Sequence, residues 1–271
     1  MRLCLIIAAV ALTLSGGGAI AFITQAKENV VPAPNVAAAA ISAEELDSAA
    51  DRRLFFGHMS VGKNVLSGVQ DVYVTRGAAQ PEIIEFERDG AAPKLPAGGG
   101  AFAHTLIGRN RHPQEKLANF DAALRGGLAD QVDVALLKFC YVDISWHTDV
   151  DALFATYKQT LDALERDYPN VTFLHVTAPL TTGPSTIKQR VKVLIGRDDN
   201  AARGRFNDLL RQTYGPDQLF DLAAVESTAP DGTTAATLYR GYSSDGAHLN
   251  ASGSSAAAVE FLRLLARTNV S

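Results

Sequence analysis

One serine in the first quarter of the chain is placed where a nucleophile would need to be. Residues 54–64 have the pattern of a short apolar strand, a turn that contains Gly57 and the start of a helix, with Ser60 at the turn. Unpaired backbone N–H groups and the dipole at a helix N-terminus favour the negative charge that develops on an attacked carbonyl. The alternative is that Ser60 only caps the helix, a common role for serine.

A second reactive group lies near the C-terminus, in residues 244–250. Asp245 precedes His248 by three residues, on a loop that leads into an Ala- and Leu-rich helical run. This spacing lets the carboxylate hold one imidazole nitrogen while the other faces outward as a general base. A surface loop in which Asp245 caps a turn and His248 is solvated would have the same sequence. Together with Ser60, the pair predicts a nucleophile, its base and the group that orients the base.

The two blocks resemble the SGNH/GDSL hydrolase superfamily, whose last block carries the catalytic Asp and His in an Asp-x-x-His form. The resemblance extends from Leu54 to the C-terminus and is to a divergent branch, with Gly-His-x-Ser-Val-Gly in place of Gly-Asp-Ser-Leu. It implies a three-layer α/β/α sandwich with a five-stranded parallel sheet, a flavodoxin-like arrangement. It also implies a serine hydrolase acting on ester bonds, with Ser60, Asp245 and His248 as catalytic residues.

Strand and helix patterns alternate along most of the chain, which is typical of a parallel sheet with helices on both faces. Residues 149–168 carry an apolar stripe at helical spacing, and a last helix is expected from its cap, Asn250, to about residue 266. Residues 42–45 fit a capping box and predict a short first helix. The five predicted strands are residues 54–57, 83–86, 132–139, 171–178 and 219–224.

The segments after the predicted strands are long, namely residues 87–113, 180–201 and 225–244. Ligands bind at the carboxyl ends of the strands in open parallel sheets, so we expect these segments to form the walls of a site. The Gly- and Pro-rich residues 91–100 could instead be a disordered insertion.

A serine hydrolase also needs donors for the oxyanion, and the resemblance implies a Gly after the second strand and an Asn after the third. We choose Gly108 and Asn110 after the second predicted strand. No Gly-x-Asn-Asp follows the third, where residues 138–143 read Lys-Phe-Cys-Tyr-Val-Asp. Tyr141 or the backbone of Cys140 is then the candidate replacement. The missing Asn also motivates an alternative in another class, a non-catalytic domain that binds carbohydrate.

Other reactive side chains are open to more than one interpretation. His58 precedes the serine by two residues and either faces the pocket or packs beneath it. Cys140 could be a nucleophile with His248 as its base, but its apolar surroundings are typical of an inert thiol. Trp146 could line a substrate pocket. Three histidines predicted in loops match no ligand spacing, so no metal or other cofactor is expected; they are His104, His112 and His147.

The first 26 residues predict export. Arg2 precedes an apolar run over residues 3–14, and small residues surround Ile20, an order typical of a secretory signal peptide or an N-terminal membrane anchor. Residues 27–41 are Pro- and Ala-rich and resemble a spacer, so residues 42–271 are expected to form one hydrolase-like domain. We expect this domain outside the cytoplasm, periplasmic or secreted.

The amino-acid composition indicates which classes of binding partner the chain is suited to. The chain has 271 residues, is 47% hydrophobic and carries a net charge of −4, with no prominent Lys/Arg cluster, so nucleic-acid binding is disfavoured. Removal of the first segment would leave Cys140 as the only cysteine and exclude an intrachain disulfide. We expect a monomer that acts on a small-molecule or carbohydrate ester, either by hydrolysis or by acyl transfer to a sugar hydroxyl.

Overall fold

The computed structural model describes residues 40–87 and 92–269. Within them, six parallel strands form one sheet in the order β2-β3-β1-β4-β5-β6. Without the edge strand β2, the other five follow the 2-1-3-4-5 order of flavodoxin-like folds, so the predicted fold class is confirmed. The strands are β1 (Arg53–His58), β2 (Glu82–Glu85), β3 (Ala101–Leu106), β4 (Val134–Leu137), β5 (Thr172–Val176) and β6 (Leu219–Phe220).

Helices cover both faces of the sheet. Side chains alternate along β1, so Leu54 and Phe56 join one hydrophobic cluster and Phe55 joins the other. Burial on both faces explains why this strand is apolar throughout. The helices are α1 (Ala43–Ala50), α2 (Val61–Arg76), α3 (Pro113–Ala123), α4 (Val150–Asp167), α5 (Ile187–Leu194), α6 (Asp199–Thr213), α7 (Leu222–Ser227) and α8 (Ala251–Arg267), with a π-helical turn at Leu124–Leu128 and a 3-10 turn at Arg240–Tyr242.

The helix caps predicted at Ser42 and Asn250 are confirmed, and the structure adds a cap at Asp149. At α1 the Ser42 hydroxyl accepts a bond from the Glu45 N–H, and the Glu45 carboxylate accepts one from the Ser42 N–H. Asp149 caps α4 and Asn250 caps α8, each through a side-chain oxygen that accepts a backbone N–H of the first turn. Such bonds satisfy donors that a helix N-terminus otherwise leaves unpaired.

The strand count differs from the prediction of five, because residues 87–113 are not a single loop. They contain β3, which pairs with β1 over the full length of both strands. The two alanines of β3 weaken its local strand signal, and burial between β1 and β2 overrides that weakness. His104, predicted in a loop, is therefore buried on a strand.

Two other segments also differ from their predictions. Residues 180–201, predicted as a loop, contain α5 and the start of α6. The last strand ends at Phe220, because the Asp221 side chain accepts the Ala224 N–H and begins α7 where strand was predicted.

The predicted signal peptide or anchor, residues 1–26, lies outside the described residues, as does the predicted spacer up to residue 39. Among the helices of the described ranges, none combines the length and the apolar character that crossing a membrane requires. Export therefore stays a prediction.

Candidate active site

Ser60 occupies a strained turn between β1 and α2. Its φ of 32° and ψ of −87° lie outside the regions that residues with a Cβ normally adopt. The hydroxyl makes no cap hydrogen bond with the helix that follows, so the side chain does not serve as a simple N-cap. Its Oγ lies 3.6 Å from the Sγ of Cys140, which is buried. Backbone strain of this kind persists only where the surrounding structure imposes it, and it is concentrated at functional sites.

His58 packs beneath this turn. The ring is buried, and its Nε2 lies 3.1 Å from Nδ1 of His104. A Cβ at Gly62 would lie 2.4 Å from Cγ of His58, so the first turn of α2 can rest on the imidazole only because residue 62 is glycine. Desolvation, reinforced by nearby positive groups, lowers the pKa of His58 well below its ordinary value. These contacts place His58 in the interior, under the turn at Ser60.

Asp245 holds His248 as the sequence predicts. Its Oδ2 lies 2.6 Å from Nδ1 of His248. Its Oδ1 accepts the backbone N–H groups of His248 at 2.8 Å and Ala247 at 2.9 Å. The bond from the His248 N–H, followed by those from the imidazole and Ala247, keeps the pKa of the Asp245 carboxyl well below its ordinary value. An ionised Asp245 fixes the ring through Nδ1 and leaves Nε2 as the nitrogen for proton transfer.

Two contacts connect the His248 loop to the serine turn. The backbone N–H of the residue after His248 donates to Asn64 Oδ1, one helical turn beyond Ser60, at 3.3 Å. The Tyr141 ring lies edge-on to the imidazole, with centroids 5.6 Å apart, and its neighbour Cys140 contacts Ser60. Among the described residues no hydrogen bond joins Ser60 to His248, and such bonds often tighten only when substrate binds. The Ser60–His248 pair therefore stays a prediction.

A buried ion pair connects α3, the helix that follows the β3 loop, to the loop after β4; β3 and β4 lie on either side of β1. The Nζ of Lys116 lies 2.6 Å from Oδ2 of Asp143, and neither side chain is exposed. The same carboxylate accepts the backbone N–H groups of Cys140 at 2.6 Å and Arg111 at 2.7 Å. The ammonium also donates to Asn110 Oδ1 at 3.1 Å. This pair holds the two loops that carry the predicted oxyanion donors in a fixed relation to each other.

The predicted oxyanion donors lie on these loops. Gly108 follows β3 rather than the second strand, and its φ is 63°, a conformation that favours glycine. A Cβ there would also lie 2.6 Å from Cγ of Lys116. The Asn110 carbonyl oxygen is used by Lys116, so the amide N–H groups are its remaining donors. Tyr141 is half-buried on the loop after β4.

The Lys116–Asp143 pair is not among the features predicted from the sequence. The two residues are 27 positions apart, and each alone resembles an ordinary surface charge. One signal was present, because Asp143 follows a predicted buried strand, where carboxylates of parallel sheets often face a site.

The three histidines considered as ligands are on separate elements. His104 contacts His58 from β3, and His112 immediately precedes α3. The His147 ring contacts the Trp146 ring, with centroids 3.4 Å apart and the ring planes tilted by 32°. Within residues 40–87 and 92–269 there is no group of three or more His, Cys, Asp or Glu placed to hold a metal ion.

Two further ionisable side chains are buried, Lys138 directly after β4 and Glu226 on α7. Oε2 of Glu226 accepts the Leu180 N–H at 2.7 Å, and Nζ of Lys138 donates to the Phe139 carbonyl at 3.0 Å. Burial raises the pKa of Glu226 to about 8 and lowers the pKa of Lys138 to about 8. Burial therefore disfavours the charged form of each group.

We expect Glu226→Gln to remove part of the pH dependence of stability. The folded-state pKa of Glu226 is raised, so its contribution to stability is fully present below the ordinary value of 4.5 and is lost as the pH rises to about 8. Glutamine keeps an acceptor for Leu180 without titrating. The free energy of unfolding of the variant, relative to the wild type, should rise between about pH 5 and pH 8 by up to ~1.4 kcal/mol per pH unit.

Urea denaturation across that pH range measures this difference, with the exposed Glu44→Gln as the matched control. A difference between Glu226→Gln and the wild type that is constant with pH would contradict the raised pKa.

No protein-family model matches the chain, and no curated protein matches it. Among solved structures, the chain is similar to one from Streptococcus pneumoniae, provisionally described as a platelet activating factor, with 18% identity over 82% of this chain and 91% of that chain and a TM-score of 0.48. An acetyl xylan esterase is 17% identical over 77% of this chain and 97% of its own, with a TM-score of 0.44. A catalytic mutant of an acetylxylan esterase from Geobacillus stearothermophilus is 12% identical over 80% and 94%, with a TM-score of 0.41.

Proposed function

We propose that this chain is a serine esterase that hydrolyses small O-acyl esters, with Ser60 as the nucleophile and His248 as the general base. The observation that carries the proposal is the strained Ser60 turn, whose hydroxyl does not cap α2. An ordinary capping serine adopts an extended backbone and would not require such strain. The Asp245–His248 pair, joined to α2 through Asn64, supports the assignment of the base.

In the proposed reaction, Nε2 of His248 takes the Ser60 proton as Oγ attacks the ester carbonyl. The resulting imidazolium gives that proton to the leaving alkoxide, and an acyl-enzyme forms. Water then attacks the acyl group by the same route and regenerates Ser60. Asp245 stabilises the imidazolium through its bond to Nδ1. The Gly108 N–H and the Asn110 amide are the proposed donors to the oxyanion, together with backbone N–H groups at the start of α2.

The proposed substrate is a short acyl group on a carbohydrate or another small molecule, processed outside the cytoplasm. Ser60 is half-buried rather than enclosed, and the loop after β4 presents Tyr141 and the exposed Trp146, whose rings suit a sugar face. Export is proposed from the N-terminal pattern of Arg2 followed by the apolar run.

A fluorophosphonate probe tests the proposal directly. We expect one adduct on the full-length wild-type chain, located at Ser60 by peptide mass spectrometry, together with turnover of p-nitrophenyl acetate or acetylated sugars. Cys140→Ser should still be labelled and active, because the buried thiol is not the proposed nucleophile. A folded wild type that shows neither labelling nor turnover would overturn the proposal and favour a carbohydrate-binding domain.

A further inference from the structure

Helix α5 carries large apolar side chains that nothing in the described chain covers. None of its eight residues is buried, and residues 185–197 are all exposed. The exposed fractions are 81% for Ile187, 49% for Val191, 84% for Leu194 and 60% for Ile195. These four residues occupy positions i, i+4, i+7 and i+8, which lie on one face of a helix. A helix of about two turns without packing is marginal in water, so a surface that covers this face would stabilise α5.

Cations border this apolar face. With roughly 100° between successive residues, Lys188 and Arg190 lie on opposite sides of the apolar face, and Lys192 lies beyond Lys188. Residues 185–197 contain four basic residues and no Asp or Glu, although the whole chain has a net charge of −4. Among the ion pairs of the described residues, none involves these basic side chains. The exposed surface of α5 is therefore both apolar and positively charged.

The apolar surface continues past the end of α5. The Arg197 guanidinium lies 4.8 Å from the centroid of the Trp146 ring, and Trp146 is 38% exposed. Tryptophan rings are enriched at membrane–water interfaces, and Lys and Arg can bury their stems while the charged ends reach the headgroups. The helix face and Trp146 together have the composition of an interfacial surface.

This surface lies next to the loop of the proposed active site. The segment that leads into α5 is bonded to that loop, because the Thr182 N–H donates to the Gly246 carbonyl at 2.9 Å. Gly246 lies between Asp245 and His248. Arg240 donates to the carbonyl of Gly183 at 3.1 Å, which fixes the same segment a second time. A partner that docks on α5 therefore lies near the His248 loop.

We propose that α5 and Trp146 form a docking surface for an anionic lipid bilayer. The apolar face would enter the boundary between headgroups and acyl chains, and the four cations would face the lipid phosphates. A bilayer provides an apolar layer bordered by negative charge, which matches this surface on both counts. Docking of α5 on a bilayer does not depend on the proposed esterase activity.

The chain contains a single tryptophan, so its fluorescence emission reports on docking at Trp146. We expect the Trp146 emission of the full chain to shift to shorter wavelength with vesicles of phosphatidylcholine that contain about one third phosphatidylglycerol. Pure phosphatidylcholine vesicles should cause a much smaller shift, and added salt should reduce the shift on anionic vesicles. The apolar N-terminal segment contains no tryptophan, so its own binding to vesicles would not produce the signal.

Variants of α5 test which side chains are responsible. The triple variant Lys188→Gln/Arg190→Gln/Lys192→Gln should weaken docking by a factor of about five for each charge removed. Ile187→Gln/Leu194→Gln should abolish the shift without unfolding the chain, because neither side chain is buried.

Two matched controls should behave like the wild type. Val74→Gln changes an apolar residue of α2 that is 75% exposed. Arg76→Gln/Lys94→Gln/Arg166→Gln removes three exposed cations outside α5. An emission shift that is the same in both α5 variants as in the wild type would overturn the proposal. An equal shift with neutral vesicles would overturn it too, as would a shift produced by a protein partner and not by lipid.

Discussion

Ser60→Ala should lower the kcat/KM for p-nitrophenyl acetate by about 10⁴-fold or more, because only substrate binding and oxyanion stabilisation would remain. Folding should hardly change. The Ser60 hydroxyl makes no cap bond, so the change in the free energy of unfolding should be below the ~1 kcal/mol that removal of a capping side chain typically costs. Steady-state kinetics and urea denaturation of the same preparations measure both quantities.

Ser60→Gly is the matched control for the strained backbone. It should be as inactive as Ser60→Ala but more stable by about 1 kcal/mol, because glycine adopts a φ of 32° without a Cβ penalty. Equal stability of the two variants would show that the turn is not strained. Full activity of a folded Ser60→Ala would exclude Ser60 as the nucleophile.

His248→Ala should reduce activity nearly as far as Ser60→Ala, and the double variant should be little worse than either single variant, since the groups act as a unit. Asp245→Asn should have a similar or milder effect, because Asp245 orients the ring and does not itself take the proton. Independent, additive losses from Ser60→Ala and His248→Ala would contradict their assignment to one proton-transfer unit.

Lys116→Met should destabilise the protein by about 3–5 kcal/mol, because it leaves the Asp143 carboxylate buried without its ammonium partner. Asp143→Leu should cost more, since it also leaves the N–H groups of Cys140 and Arg111 without their acceptor. Lys116→Met/Asp143→Leu should cost less than the sum of the two single variants. Urea denaturation of the wild type, the two single variants and the double variant gives the coupling free energy between Lys116 and Asp143.

The exposed pair of Lys158 and Asp162 provides the control. Its atoms are also 2.6 Å apart, but the two side chains are 44% and 41% exposed, so Lys158→Met should cost less than about 1 kcal/mol. Equal losses from Lys116→Met and Lys158→Met would show that burial adds nothing to the Lys116–Asp143 pair. A Lys116→Met variant that folds but loses kcat would indicate that the pair also positions the two loops.

Much of the fold and half of the candidate site could be predicted from the sequence, because the signals are local. The turn at Ser60 follows from an apolar strand, small residues and a helical pattern within eleven positions. The Asp245–His248 bond follows from a spacing of three residues. The caps of α1, α4 and α8 depend on side chains within a single turn of helix. Each of these features is determined by residues close together in the chain.

The tertiary structure decided the features that depend on distant residues. Burial between two strands made β3 a strand despite its alanines, and the same packing brought His104 against His58. The partner of Lys116 is 27 positions away, and nothing near the lysine indicates that it is buried. Residues 180–201 are predicted as a loop, yet α5 forms within them as a helix that the rest of the described chain leaves uncovered. Burial and pairing of polar groups depend on which distant segments meet, and local periodicity carries no information about that.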